Sequence, residues 1–233
     1  MYYSGYGGDS VYIVALLIVM VIGMIAQSRV NSAFSKYSKV PASARISANQ
    51  AARNLLDQEG SAVLVTEVRG RLTDHFNPRT NTVGLSEAVY NDTSVAALAV
   101  AAHEIGHVMQ YEQGYVPIKI RNAILPVANF GSQIAPIIVI LGLLMGSSQF
   151  AMIGVILFGA FFLFQLLTLP VELNASSRAM EMLETGGYLN YDESAMAKRV
   201  LRAAAMTYVV AALASLVSLL RYLGLANRAN NRR

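Results

Sequence analysis

The sequence predicts a mainly α membrane protein with about four transmembrane helices and a small α+β membrane-proximal segment between the first and the second. Three observations predict it. Of 233 residues, 55% are hydrophobic and 14% charged, where soluble domains carry roughly 25% charged residues. Four apolar stretches approach or exceed the roughly 20 residues that cross a bilayer as a helix. Between the first two, the pattern changes to alternating β-branched residues, turn residues and a capped helix.

The first stretch, Val11 to Ala26, holds 16 uncharged residues, and Ser10 and Gln27 can extend it. Its leader MYYSGYGGDS has Asp9 as its only charge and lacks the basic start of a secretory signal, so an uncleaved helix is expected. Ser43 is a candidate N-cap for a helix with apolar positions Ile46, Ala51, Leu55 and Leu56, stopped by Gly60. Ala62 to Val68 reads as a strand. The turn Asn77-Pro78-Arg79 then separates Leu72 to Phe76 from a second extended run, Thr80 to Ser86. Asn91, Asp92, Thr93 and Ser94 offer caps for a helix of about twenty residues that Gly114 and Pro117 end.

The second span, Ala123 to Gly146, is uncharged, but Pro126, Asn129, Ser132, Gln133 and Pro136 make its first half polar and bent. Phe150 to Leu169 is the clearest span, Pro170 fits the first turn of a new helix, and Ala203 to Leu220 is a fourth apolar stretch. The expected division is 1–28, a transmembrane helix; 29–122, the α+β segment; 123–169, two transmembrane helices; 170–200, a further helix; and 201–233, an apolar helix with a basic tail.

The net charge is +4 and the basic residues are scattered, several of them flanking apolar runs, so no nucleic-acid partner is expected. Arg29, Lys36, Lys39, Arg45, Lys119 and Arg121 place residues 27–122 on the cytoplasmic side of the cell membrane, and Arg178, Lys198 and Arg199 place the segment after the third span there too. The tail opposes this scheme, because four full crossings would put Arg221, Arg228, Arg232 and Arg233 outside. The chain has no cysteine, so any metal must be held by histidine, carboxylate or water.

Within the capped helix lies AAHEIGHVMQ, with two of the three histidines. Residues four apart on a helix lie about 40° apart around its axis, so His103 and His107 share a face and can share a metal. Zinc is the usual occupant of sites that combine imidazole with carboxylate. Glu104 stands beside the first ligand, where it can take a proton from water as general base and pass it to a leaving amine, with zinc polarising the carbonyl. Peptide-bond hydrolysis is the reaction class that follows. Gly106 costs the helix about 1 kcal/mol relative to alanine, which a close approach by substrate, metal or another helix would explain.

Catalytic zinc takes three protein ligands. Glu172 is the first candidate for the third, and Asn174, Ser176 and Arg178 are candidates for hydrogen bonds to the ligands. His75 is the rival, as a ligand or as a group that binds substrate or the oxyanion. Glu112, Glu181 and Glu184 read as solvated helix faces.

HEIGH, the upstream LTDHFNPRTNTVGLS and the downstream TLPVELNASSRA, in that order and with apolar spans between, resemble the YugP-type membrane zinc metallopeptidases from about Val40 to Arg199. The resemblance implies His103, His107 and Glu172 as zinc ligands and Glu104 as the base. A more distant similarity is to the HtpX-like and prenyl-protein metallopeptidases, whose downstream pattern is E-x-x-x-D; this chain has Ser176 at the final position. The expected function is a multi-pass membrane zinc endopeptidase that cuts membrane or membrane-proximal proteins, with an extended substrate adding to the edge of Thr80 to Ser86. The alternative is a zinc-binding, non-proteolytic membrane adaptor.

Overall fold

The computed structural model describes residues 7–230, with side chains from 10 to 228. The leader's first six residues, the side chain of Asp9, and Arg232 and Arg233 of the tail lie outside the described residues. In chain order the elements are α1 (Gly7–Tyr37), α2 (Ala48–Gln58), β1 (Leu64–Val68), β2 (His75–Asn77), β3 (Thr82–Ser86), α3 (Glu87–Tyr90), α4 (Val95–Glu112), α5 (Val116–Leu144), α6 (Ser148–Thr185) and α7 (Tyr191–Asn230). Four of them, α1, α5, α6 and α7, are long and apolar enough to cross a membrane. The predicted class therefore holds, with a small sheet beside four long helices.

Each long helix runs beyond the apolar run that announced it. The clearest case is Pro170, which does not open a new helix but lies inside α6, as Pro126 and Pro136 lie inside α5. A proline removes one N–H donor and crowds the carbonyl four residues back. Turns on both sides that are already formed and packed can absorb that loss, as they often do in membrane helices.

The chain forms two compact units. The first comprises the described residues up to Ile25, Pro117–Leu169 and those from Thr207 onward. Here α5 and α6 form an antiparallel hairpin, turned at Gly146 with φ +63°. A Cβ built on Gly142 would stand 2.4 Å from the backbone nitrogen of Ala151, so the glycine lets the two backbones meet. Phe158 of α6 packs edge-on to Tyr222 of α7, with ring centroids 5.0 Å apart. Val11, Leu17, Ile18, Ile140 and Ile156 are exposed, a surface suited to lipid.

The second unit comprises Ala26–Val116 and Pro170–Met206. Its centre is α4, where 13 of the 18 residues are buried, so that neighbours must cover it on nearly every side. Alanines 96, 97, 99, 101 and 102, all fully buried, let those neighbours come close. The start of α4 is fixed by Ser94, whose hydroxyl accepts from the Ala97 amide at 3.2 Å while its own amide donates to Asp92 Oδ1 at 2.9 Å. Gly114, with φ +71°, follows its end.

Ser43 is not the cap of α2. Ser47 holds that position, and Ser43 instead donates from Oγ to Glu193 Oε1 at 2.7 Å and from its amide to Glu193 Oε2 at 3.2 Å. A hydroxyl satisfied by a distant carboxylate has no need of the nearby helix end.

The sheet order is β1-β3-β2, with β1 parallel and β2 antiparallel to β3. The run from Thr80 to Ser86 therefore supplies the central strand and has no free edge, so the expected pairing of a substrate with it is excluded. The reason is burial: Val83 and Leu85 are fully buried and belong in the middle of the sheet. In the register, Phe76 pairs with Val83 and His75 with Gly84. Since side chains alternate along a strand, Phe76 faces the core and His75 the opposite side.

Candidate metal centre

α4 presents His103, Glu104 and His107 in just over one turn, and α6 brings Glu172 to them. His103 Nε2 lies 3.2 Å and His107 Nε2 3.5 Å from the same atom, Glu172 Oε2. The three ligand atoms lie within 4.8 Å of one another, and the imidazole rings stand nearly perpendicular with centroids 4.7 Å apart. Glu172 and Glu104 are only 3% and 8% exposed, so two carboxylates are withdrawn from water beside two imidazoles.

Gly106 makes this approach possible. A Cβ built there would lie 2.5 Å from the Ala175 carbonyl oxygen and 3.2 Å from its Cα. Of the explanations that the sequence leaves open for this glycine, the close passage of another helix is the one observed. Glu172 and Ser176 flank Ala175 on α6, so the crossing point sets where both side chains arrive.

Both imidazoles turn their Nδ1 atoms outward to hydrogen-bond partners. Ser176 Oγ lies 3.2 Å from His103 Nδ1, so this serine occupies the orienting position behind that imidazole. His107 Nδ1 lies 3.0 Å from Gln110 Oε1, and Gln110 Nε2 donates to the Val171 carbonyl at 2.7 Å and to Asn174 Oδ1 at 3.0 Å. Arg178 Nε donates to Asn174 Oδ1 at 2.9 Å, and its Nη1 donates to Gln113 Oε1. Asn174 and Arg178 were legible as candidates; Gln110 was not, because nothing local distinguishes a glutamine on a helix.

The donor set fits zinc. A tetrahedral ion with bonds of about 2.0 to 2.1 Å separates its ligand atoms by about 3.3 Å, close to the two distances measured to Glu172. With Nδ1 engaged, each imidazole directs Nε2 to the common point, as ligating histidines do. The surroundings also favour positive charge. Burial alone would push His107 down, but its bond to Glu172 and the nearby Glu104 outweigh burial and hold the imidazole above its ordinary value. Burial pushes the Glu104 carboxyl up against the pull of the two histidines, with Asp74 and Glu172 adding to the rise.

His75 does not join the group. It sits over Gly84, where a Cβ would meet its ring at 2.9 Å, and its Nδ1 lies 2.9 Å from the Thr73 carbonyl. From the same LTDHF segment, the residue whose charge reaches Glu104 is Asp74. Its carboxylate accepts from the Ser86 amide at 2.7 Å and the Ser86 hydroxyl at 3.0 Å. Alternation along the strand could have suggested this, once Phe76 was recognised as the inward residue.

The chain is 47% identical over 198 residues to a protein of Bacillus subtilis (strain 168) described as "Putative membrane protease YugP", which covers 84% of this chain and 88% of that protein. No solved structure matches it. The family described as "Putative neutral zinc metallopeptidase" matches residues 12–227. With four helices long and apolar enough to cross a membrane, a ligand group fit for zinc and that match over nearly its whole length, the chain belongs to this zinc metallopeptidase family.

Proposed function

We propose that the protein is a multi-pass membrane zinc endopeptidase that hydrolyses peptide bonds of membrane or membrane-proximal proteins. The observation that carries the reading is the convergence of His103, His107 and Glu172, with Glu104 on the same turn of α4. The three converging residues would hold zinc, which when bound acidifies water and polarises a carbonyl. Glu104 takes the proton from the attacking water and delivers it to the leaving nitrogen. Its burial favours that exchange, because a carboxyl pushed up towards neutrality releases a proton less readily than an exposed one and so accepts it more readily. Ser176 and Gln110 hold the outer nitrogens of His103 and His107, which leaves Nε2 of each imidazole facing Glu172 as the atom that would bind the ion.

The open edges of the sheet belong to β1 and β2. β2 is the one beside α4, where Phe76 meets Tyr111 edge-on with centroids 5.8 Å apart. An extended substrate would pair with β2, which places His75 as a substrate contact rather than a ligand. Residues 26–116 and 170–206 belong to one compact unit, so both polar segments share a side of the membrane. The basic residues at the helix ends favour the cytoplasmic side.

Purified wild type and Glu104→Gln should contain the same zinc, and only the wild type should cut an unstructured polypeptide, in a chelator-sensitive way. Full activity in Glu104→Gln would remove Glu104 from the mechanism. Zinc without cleavage in the wild type would favour the adaptor alternative.

A further inference from the structure

The two imidazoles are held by partners of different kinds. Ser176 can donate or accept, so it does not dictate which nitrogen of His103 carries the proton. The partner of His107 has no such freedom. Arg178 has only donors, so Asn174 must turn Oδ1 towards it. That oxygen also receives Gln110 Nε2, and Gln110 is fully buried with its amide nitrogen additionally committed to the Val171 carbonyl. Gln110 is thereby left with Oε1 facing His107, and an amide oxygen can only accept. His107 must carry a proton on Nδ1, and its Nε2 is the atom left facing Glu172. Reversing any one amide would set two donors or two acceptors against each other, which in a buried site costs about 1 to 3 kcal/mol for each group left unsatisfied.

We propose that Gln110, Asn174 and Arg178 form a directional positioning relay that fixes the tautomer of His107, and that Arg178, although it touches no ligand, thereby sets how tightly the site holds zinc. The inference rests on the reading of His103, His107 and Glu172 as a zinc site. The relay ends in a cation, where a ligating histidine more often has a carboxylate behind it.

The test uses the full chain in detergent, with zinc dissociation constants from chelator competition and 15N spectra of the labelled histidines. With three histidines in the chain, each ring can be resolved. Arg178→Ala and Asn174→Leu should weaken zinc by about 10- to 100-fold, the usual cost of losing a partner behind a ligand. Asn174→Asp keeps an oxygen that accepts from both Arg178 and Gln110, so it should stay near wild type. In the spectra, taken where the imidazoles are neutral, His107 should be protonated at Nδ1 in the wild type and in Asn174→Asp, and the share of a second tautomer should rise in Arg178→Ala, where the Val171 carbonyl alone still orients Gln110.

Wild-type zinc affinity and an unchanged His107 tautomer in both Arg178→Ala and Asn174→Leu would overturn the relay. So would equal losses in Asn174→Asp and Asn174→Leu, which would mean packing and not hydrogen-bond direction. Cleavage is not among the readouts, so failure of the peptidase reading would be told apart from failure of the relay.

Discussion

Gly106 of α4 lies against Ala175 of α6 so closely that a Cβ on the glycine would stand 2.5 Å from the Ala175 carbonyl oxygen. All three nearest atoms belong to the Ala175 backbone, so no side chain can rotate away to make room. In an exposed helix, Gly→Ala stabilises by about 1 kcal/mol. Here overpacking, at about 1 to 3 kcal/mol, opposes that gain. Gly106→Ala should therefore be less stable in thermal unfolding and bind zinc more weakly, since Glu172 and Ser176 move with Ala175. Unchanged zinc affinity would show that the crossing point does not set the site.

Glu172 is the one carboxylate that both histidines contact through Nε2. In Glu172→Ala the two imidazoles remain as the only members of the group, one ligand short of a catalytic zinc site. The purified variant should lose stoichiometric zinc in metal analysis while keeping its fold, because among the described residues the polar contacts of the removed carboxylate are those to the two histidines. Stoichiometric zinc in this variant would exclude Glu172 as an essential ligand.

The parts legible in the sequence were those whose signal is local. Uncharged runs announced four long helices, the cluster Asn91 to Ser94 announced the start of α4, and a four-residue spacing put His103 and His107 on one face. Glu172 was a candidate because a carboxylate follows an apolar span at once. What stayed hidden depends on strand phase or on contacts distant in sequence. His75 drew attention as the third histidine, yet the register that pairs Phe76 with Val83 turns it to the other side of the sheet. Asp74 and Gln110 look ordinary in sequence, because their meaning lies in Ser86 and in Asn174. Pro170 misled, because a proline marks a helix start only where no turn already precedes it.

Ser43 and Glu193 join positions 150 residues apart. Glu193 is 7% exposed, and its carboxylate also accepts from the Asn190 amide at 2.9 Å while Asn190 Oδ1 accepts from the Glu193 amide at 3.0 Å. This reciprocal pair caps α7, and Ser43 ties it to the segment before α2. Ser43→Ala removes the charge-assisted bond to Glu193 and the bond that the hydroxyl accepts from Asn190 Nδ2 at 2.9 Å, and should cost about 1 to 3 kcal/mol in denaturant unfolding. Ser43→Thr, which keeps the hydroxyl, should recover most of it. Equal stability of Ser43→Ala and wild type would show that the tie adds nothing to the stability of the fold.

Asp74 gives the fold a pH dependence with a definite sign. Burial raises its carboxyl above the ordinary aspartate value of 3.8, and the bonds from the Ser86 amide and hydroxyl only partly oppose the rise. A group whose folded pKa exceeds its unfolded one contributes stability that is complete below the unfolded value and lost as pH rises through the folded value. The unfolded chain then ionises first, and ionisation favours unfolding. Asparagine at this position does not titrate. The unfolding free energy of the wild type relative to Asp74→Asn should therefore fall between about pH 4 and about pH 7. Denaturant titrations of both proteins at the two pH values measure that difference directly. A relative stability that rises with pH would mean that the Ser86 bonds to the ionised carboxylate outweigh its burial, and that the carboxyl lies below its ordinary value instead of above it.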